Sequence, residues 1–214
     1  MQFDLFNQAE NDVFSSPSYE AFRKKFLEVG CTQCDLHKGR TNIVIDRGNP
    51  KSEILIIGEG PGEQEDLQGK AFVGRAGKLL DKIMMSINLD TNQDTLIINV
   101  VKCRPPNNRA PTEVEAKTCR PYLEQQIELV KPKIIILLGA TALKHIIPEK
   151  KNFSMEQEAG NFFTHLNYPG IQFMVLYHPA YLLYDPRKKE PMWQHVKKLR
   201  DFLGLQKAES SRAF

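Results

Sequence analysis

With 214 residues, 41% hydrophobic and 26% charged, the chain has the make-up of a soluble globular protein able to bury one sizeable core. A formal net charge of +3 permits a nucleic-acid partner without demanding one, and no apolar run is long enough to span a bilayer. The amino terminus, Met1-Gln2-Phe3-Asp4, lacks the charged and apolar segments of a secretion signal, so a cytoplasmic address is expected and a membrane partner is not.

Residues 1–16 read as loose. Ser18 to Val29 follows Pro17 and carries Phe22, Phe26 and Leu27 at helical spacing, ended by Gly30. A tight polar turn, Cys31-Thr32-Gln33-Cys34, comes next. Residues 53–57 are a short apolar run ending in Gly58, which suits a buried parallel strand. A glycine-rich loop then leads into a helix expected over 77–87, with Leu79, Leu80, Ile83 and Met84 on one side. Residues 96–101 read as a second strand and 103–111 as a loop dense in Pro and Asn. Thr112 and Glu115 form a capping box opening a helix that Pro121 is expected to interrupt. Residues 134–138 are a third buried strand, 140–147 a helix, 162–164 and 171–176 strands, and 190–202 a final helix. Strands alternating with helices predict an α/β fold whose parallel sheet is covered on both faces. Functional loops of such sheets gather beyond the carboxyl ends of the strands. With no repeats and no long linker, one domain over 1–214 is expected, flexible at 1–16 and 205–214, and a monomer.

The loop Gly58-Glu59-Gly60-Pro61-Gly62-Glu63-Gln64-Glu65-Asp66 suggests phosphate binding at first sight. The dinucleotide fingerprint, however, needs glycine where Glu63 stands, and the Walker pattern needs glycine at Gln64 and Ser or Thr at Ala71. Four carboxylates in so short a span would also repel a pyrophosphate. Glycines let backbone approach a ligand closely, and carboxylates can orient water or stabilise a sugar cation. A structural turn with solvated acids is the alternative. Phe72, set among glycines, reads as a loop aromatic that either stacks on a planar ligand or plugs its own turn. Arg75 sits near a helix start, a place suited to a phosphate. Asn99 ends an aliphatic run, and a buried amide requires partners, from a ligand or from neighbouring loops. His178 follows another buried strand and is expected at the same end of the sheet.

Four cysteines, Cys31, Cys34, Cys103 and Cys119, read better as thiolate ligands to one metal centre than as disulfides in a reducing compartment. Their spacing leaves zinc and iron–sulfur both open.

Together these residues resemble a known family. Gly58–Leu80 (GEGPGEQEDLQGKAFVGRAGKLL), Asn99–Pro106 (NVVKCRPP) with 108–111, and His178–Leu183 (HPAYLL) are similar to three blocks of the family 4 uracil-DNA glycosylases, and the four cysteines are similar to that family's [4Fe–4S] ligands. The resemblance runs from about Val29 to Phe202. It implies a three-layer α/β/α fold with a central, mostly parallel four-stranded sheet. It implies a DNA repair enzyme that hydrolyses the N-glycosidic bond of deoxyuridine, releasing uracil and leaving an abasic site. By the resemblance, Glu59 lies near the sugar and water, Gly60 and Gly62 contact the base through backbone, and Glu65 is a second acid near the pocket. Phe72 stacks on the flipped uracil, Asn99 reads its edge and His178 meets O2. Ala71 departs from the Pro that relatives commonly carry there, which loosens the Phe72 loop without removing a functional group. The loop 104–111 is short and lacks a histidine, so covalent capture of DNA, known among relatives, is not expected.

For DNA itself, Arg75, Lys102, Arg104, Arg109 and the run Arg187-Lys188-Lys189 are phosphate candidates, the run being equally readable as a solvated loop. Tyr181 and Leu182 are candidates to wedge into the gap left by the base, with plain core packing as the alternative. The cluster is expected to be a structural staple, and the enzyme monofunctional, because no lysine is identified near the sugar. A repair or replication partner is left open, the segment 1–6 being a place where one could dock.

Overall fold

The structure is a computed structural model that describes residues 12–206. Its strands are β1 (Arg47–Gly48), β2 (Ile54–Gly58), β3 (Leu96–Asn99), β4 (Ile134–Leu138), β5 (Phe162–Thr164) and β6 (Gln172–Leu176). They form one sheet in the order β1-β3-β2-β4-β6-β5. The inner four strands are parallel, and the two edge strands run antiparallel. The expected four-stranded sheet is therefore its parallel core, and the full count among the described residues is six. Two-residue β1 carries no alternation to detect, and three-residue β5 shows its direction only through its pairing with β6.

Every residue of β2 and β4 is buried because helices cover both faces. On one face Ile54, Ile56, Ile97 and Ile136 pack against α3 (Arg75–Met85), α7 (Pro179–Tyr184) and α8 (Lys189–Phe202). On the other, Leu55, Ile57, Ile98 and Ile135 pack against α4 (Glu113–Val130) and α5 (Gly139–Ile146). Alternate strand residues thus feed opposite layers, each contributing about 1.5–3 kcal/mol on full burial. The three-layer arrangement is the one expected. The amino-terminal helix α1 (Tyr19–Val29), capped by Ser18, adds a satellite cluster in which Phe22 and Phe26 meet Tyr122. Short helices α2 (Glu63–Gln68) and α6 (Met155–Glu158) complete the set.

Two further expectations are corrected. Pro121 does not interrupt α4, which runs unbroken from its Thr112–Glu115 capping box to Val130. A helix-interior proline costs about 3 kcal/mol, but Tyr122, Leu123 and Ile127 are buried beside it and their packing outweighs that cost. The ends are also less loose than expected where they are described. Val13 is fully buried, Ser16 Oγ donates to its carbonyl, and Leu205 packs on the core. The remaining tail residues, 1–11 and 207–214, lie outside the described residues.

Candidate active site

Parallel strands deliver their carboxyl ends to one side, and the register sets Gly58 beside Asn99 and Leu138 beside Leu176. Glu59 leaves β2, Asn99 ends β3 and His178 caps α7 just beyond β6. Between them lies a cleft of about 220 Å³, lined by Glu59, Gly60, Gly62, Glu65, Phe72, Asn99, Arg109 and His178. All the residues expected for catalysis or base contact therefore meet in one place.

Asn99 is 1% exposed, and neither its amide nitrogen nor its amide oxygen has a hydrogen-bond partner among the described residues. A buried polar group left unpaired costs about 1–3 kcal/mol. The backbone around it is held firmly, since the buried Lys102 Nζ donates to the Asn99 carbonyl at 2.6 Å. Lys102 is 1% exposed and so cannot grip DNA phosphate, which corrects its candidacy. Close packing explains Gly58, where an added Cβ would stand 2.5 Å from the Phe72 ring and 2.6 Å from Asn99 Oδ1.

Phe72 is buried, only 5% exposed, and joins the core cluster rather than sitting loosely in its loop. Its backbone is left-handed, with φ of 53°, a strained setting for a large side chain. The surrounding structure imposes it: Ala71 is fully buried, and Gly77 lets α3 pass directly against the Phe72 carbonyl. The Phe72 and His178 rings stand 5.7 Å apart, inclined at 38°.

His178 Nδ1 accepts the Ala180 backbone N–H at 3.2 Å, capping α7. A neutral imidazole accepting at Nδ1 carries its proton at Nε2, which is then a donor. Enclosure by protein pushes its pKa down to about 4, so the ring is neutral at physiological pH. Since the folded value lies below the ordinary 6.5, the unfolded chain binds the proton first. The stability this group supports is complete above about pH 6.5 and is lost as pH falls towards 4. An NMR titration of the imidazole should give a midpoint near 4 in the folded protein, and a midpoint near 6.5 would contradict the enclosure that keeps the ring neutral.

The two acids have different surroundings. Glu65 is tied at both oxygens, accepting from Gly62 N at 3.1 Å and Gly74 N at 2.7 Å, so it staples the two glycine loops together. Glu59 is held at one oxygen only, Oε2, which accepts from Thr141 Oγ1 on α5.

The DNA candidates divide. Arg75 is exposed at the first position of α3. Arg109 reaches the cleft rim but is gripped at both ends by Glu115, at 2.7 and 2.8 Å, which holds that carboxyl down at about 2. Arg104 bonds Asn108, Arg187 pairs with Asp185, and Lys188 pairs with Glu156 at 2.8 Å over the Tyr177 ring. Leu182 is fully buried in the core, which corrects its candidacy as a wedge; a helix turns its neighbours outward instead, leaving Tyr181 39%, Leu183 40% and Tyr184 88% exposed. Sequence reasoning singled out Tyr181 but not Leu183 or Tyr184, because it did not settle which side of a helix at 179–184 faces outward. It also missed Thr141, although a hydroxyl two residues past a glycine at a strand end was a usable signal.

The loops that carry Cys31 and Cys103 are tied together. Arg40 links them, donating to Cys103 Sγ at 3.1 Å and to the Cys31 and Gly30 carbonyls. Cys34 and Cys103 lie within electrostatic reach of Cys31, and Cys119 within reach of both Cys103 and Cys31. Among the described residues no three such side chains stand close enough to share a single ion.

Residues 45–200 match the model of the Uracil DNA glycosylase superfamily. The chain is 44% identical to a "Type-4 uracil-DNA glycosylase" of Saccharolobus solfataricus, over 81% of this chain and 82% of that protein. It is 46% identical to a protein of the same name from Thermotoga maritima, covering 72% and 78%, and 40% identical to one from Archaeoglobus fulgidus, covering 82% and 89%. Among the described residues no helix is long and apolar enough to cross a membrane.

Proposed function

The chain belongs to the type-4 uracil-DNA glycosylases, hydrolases that remove uracil from DNA in repair, and on that premise we propose that the cleft between Glu59, Phe72, Asn99 and His178 is the pocket that takes the flipped base. The unpaired amide of Asn99 carries this reading. Its Oδ1 accepts from uracil N3–H and its Nδ2 donates to O4. Cytosine presents the opposite pattern at both positions and leaves two buried groups unpaired. Phe72 offers a ring face for the base, and its strained backbone is what such a pre-set stacking surface costs.

Extrusion from the duplex exposes the C1′–N1 bond. As that bond breaks, its electron pair moves into the uracil ring and negative charge reaches O2. We assign the Nε2–H of His178, a residue that lines the cleft, as the donor for that charge, a role worth about 3–4 kcal/mol in comparable oxyanion sites. Glu59 orients water towards C1′ or stabilises the sugar cation; the new bond is C1′–O, and the water proton passes to solvent or the leaving base. Among the described residues no lysine lines the cleft, which is in keeping with a monofunctional enzyme that leaves the strand intact. Gly60 and Gly62 keep backbone close to the base, and Glu65 fixes their loop. Outside the cleft, Arg75 and the exposed Tyr181 are the DNA contacts we favour, with Arg109 at the cleft rim and Arg187 and Lys188 beyond it able to exchange carboxylate partners for phosphate. We read the protein as a monomer working in the cytoplasm, where thiolates stay reduced.

Cys31, Cys34, Cys103 and Cys119 fit a [4Fe–4S] cluster. Two loops and a helix supply four cysteine donors, the donor type that such clusters use, and Arg40 ties two of those segments together. When bound, the cluster would supply cross-linking of the amino-terminal loop to α4 rather than chemistry on the base. Cys103→Ala should lose iron and sulfide and lower the melting midpoint by about 5–15 °C, the range expected when a long-range cross-link is removed. A cluster-free variant with unchanged melting would refute the staple.

The activity is tested by base release from an oligonucleotide with a single uracil, with thymine and cytosine controls. Selective release without strand cleavage is expected, and a β-elimination product would refute the monofunctional reading.

A further inference from the structure

We infer that Thr141 is a positioning residue for the reaction: its hydroxyl, delivered by the first turn of α5, fixes which oxygen of Glu59 faces the sugar. This rests on the reading of Glu59 given above.

The geometry begins at β4, whose carboxyl end lies between β2 and β6. Gly139 turns the chain there with φ of 83°, and α5 starts at once. An added Cβ on Gly139 would stand 3.0 Å from His178 Cβ, so the helix start rests directly on the histidine. Two residues on, Thr141 Oγ1 donates to Glu59 Oε2. The first turn of α5 therefore touches both groups that act on the sugar and the base. No side chain caps that helix end, because its N-cap is Leu138, and its positive pole favours an ionised carboxylate nearby.

A carboxylate at the end of a rotatable side chain has two equivalent oxygens and a broad terminal torsion. A donor fixed on a helix removes that freedom. With Oε2 occupied, Oε1 is the oxygen left for water or the C1′ cation. Glu65, with a backbone donor on each oxygen, is held in place by its own loops. The contrast accounts for why only one of the two cleft acids is suited to act on substrate.

The test uses the holoenzyme under single turnover. Thr141→Val, of matching shape, should release uracil about 10- to 100-fold more slowly, the effect of losing one hydrogen bond to a charged group. Binding of uracil DNA should stay within about twofold, and Thr141→Ser should recover the rate to within about threefold. Should the valine variant melt early, Thr141→Ala takes its place. In a Glu59→Gln background the Thr141→Val change should cost nothing further. A wild-type rate for Thr141→Val beside a slow Glu59→Gln overturns the inference alone. The same loss persisting in the Glu59→Gln background also overturns it, since Thr141 would then act elsewhere. A wild-type rate for Glu59→Gln overturns the reading of Glu59 and this inference with it.

Discussion

Replacing Asn99 with Ala should lower uracil release about 10²- to 10³-fold while leaving the fold's stability nearly unchanged or slightly raised. Most buried polar substitutions destabilise because a partner is stranded. Here both amide atoms are already unpaired, so the substitution strands nothing, and it removes a desolvation cost of about 1–3 kcal/mol that offsets the small void. The catalytic loss has a separate origin. Two hydrogen bonds to the uracil edge vanish, worth about 3–4 kcal/mol together at 1.4 kcal/mol per tenfold. Urea unfolding and single-turnover release on the same preparation check both halves. A variant that unfolds at much lower urea would make the amide structural, and one that still excludes cytosine at full rate would remove it from base selection.

The second large effect is expected at Gly77. A Cβ there would stand 1.8 Å from the Phe72 carbonyl oxygen and 2.1 Å from its carbon. Backbone cannot yield as a side-chain tip does, so Gly77→Ala must push α3 away from the Phe72 loop. We expect a loss of about 3 kcal/mol in stability and at least a 100-fold drop in release, because the left-handed Phe72 holds its ring in place only while α3 presses on it. Gly39→Ala is the control: open space surrounds it and its φ is −109°, so it should change stability by less than about 0.5 kcal/mol. Equal melting curves for the two variants would show that the contact at Gly77 is not restraining the loop.

Much of the cleft was legible before any coordinates. Glu59, Asn99 and His178 each follow an aliphatic run, and parallel strands end on one side, so their convergence followed from pattern alone. The four cysteines were legible for a similar reason, since paired thiols with distant partners have few other uses. Other positions were not. Lys102 lies among residues that read as a basic loop, yet it is buried and turned inward to the Asn99 carbonyl. Leu182 and Leu183 are chemically alike and adjacent, and only the helix at 179–184 sends the first into the core and the second outward. Glu65 and Glu59 look equivalent in the glycine loop, but one is consumed by backbone donors and the other is left half free. Pro121 signalled a break that neighbouring burial overrode.

The sequence by itself determined the alternation of strands and helices, the burial of the central strands, the identity of the cleft residues and the thiolate set. The first two follow from periodicity, a local property, and the last two from side-chain chemistry together with the resemblance of three sequence blocks and the cysteines to a known family. Only the tertiary structure decided which cations stay free of carboxylates, which oxygen of Glu59 is occupied, that Phe72 is strained and that Asn99 lacks a partner. Such properties depend on contacts between segments far apart in the chain, Thr141 with Glu59 and Gly77 with the Phe72 loop among them, and their energies arise only when packing brings those segments together.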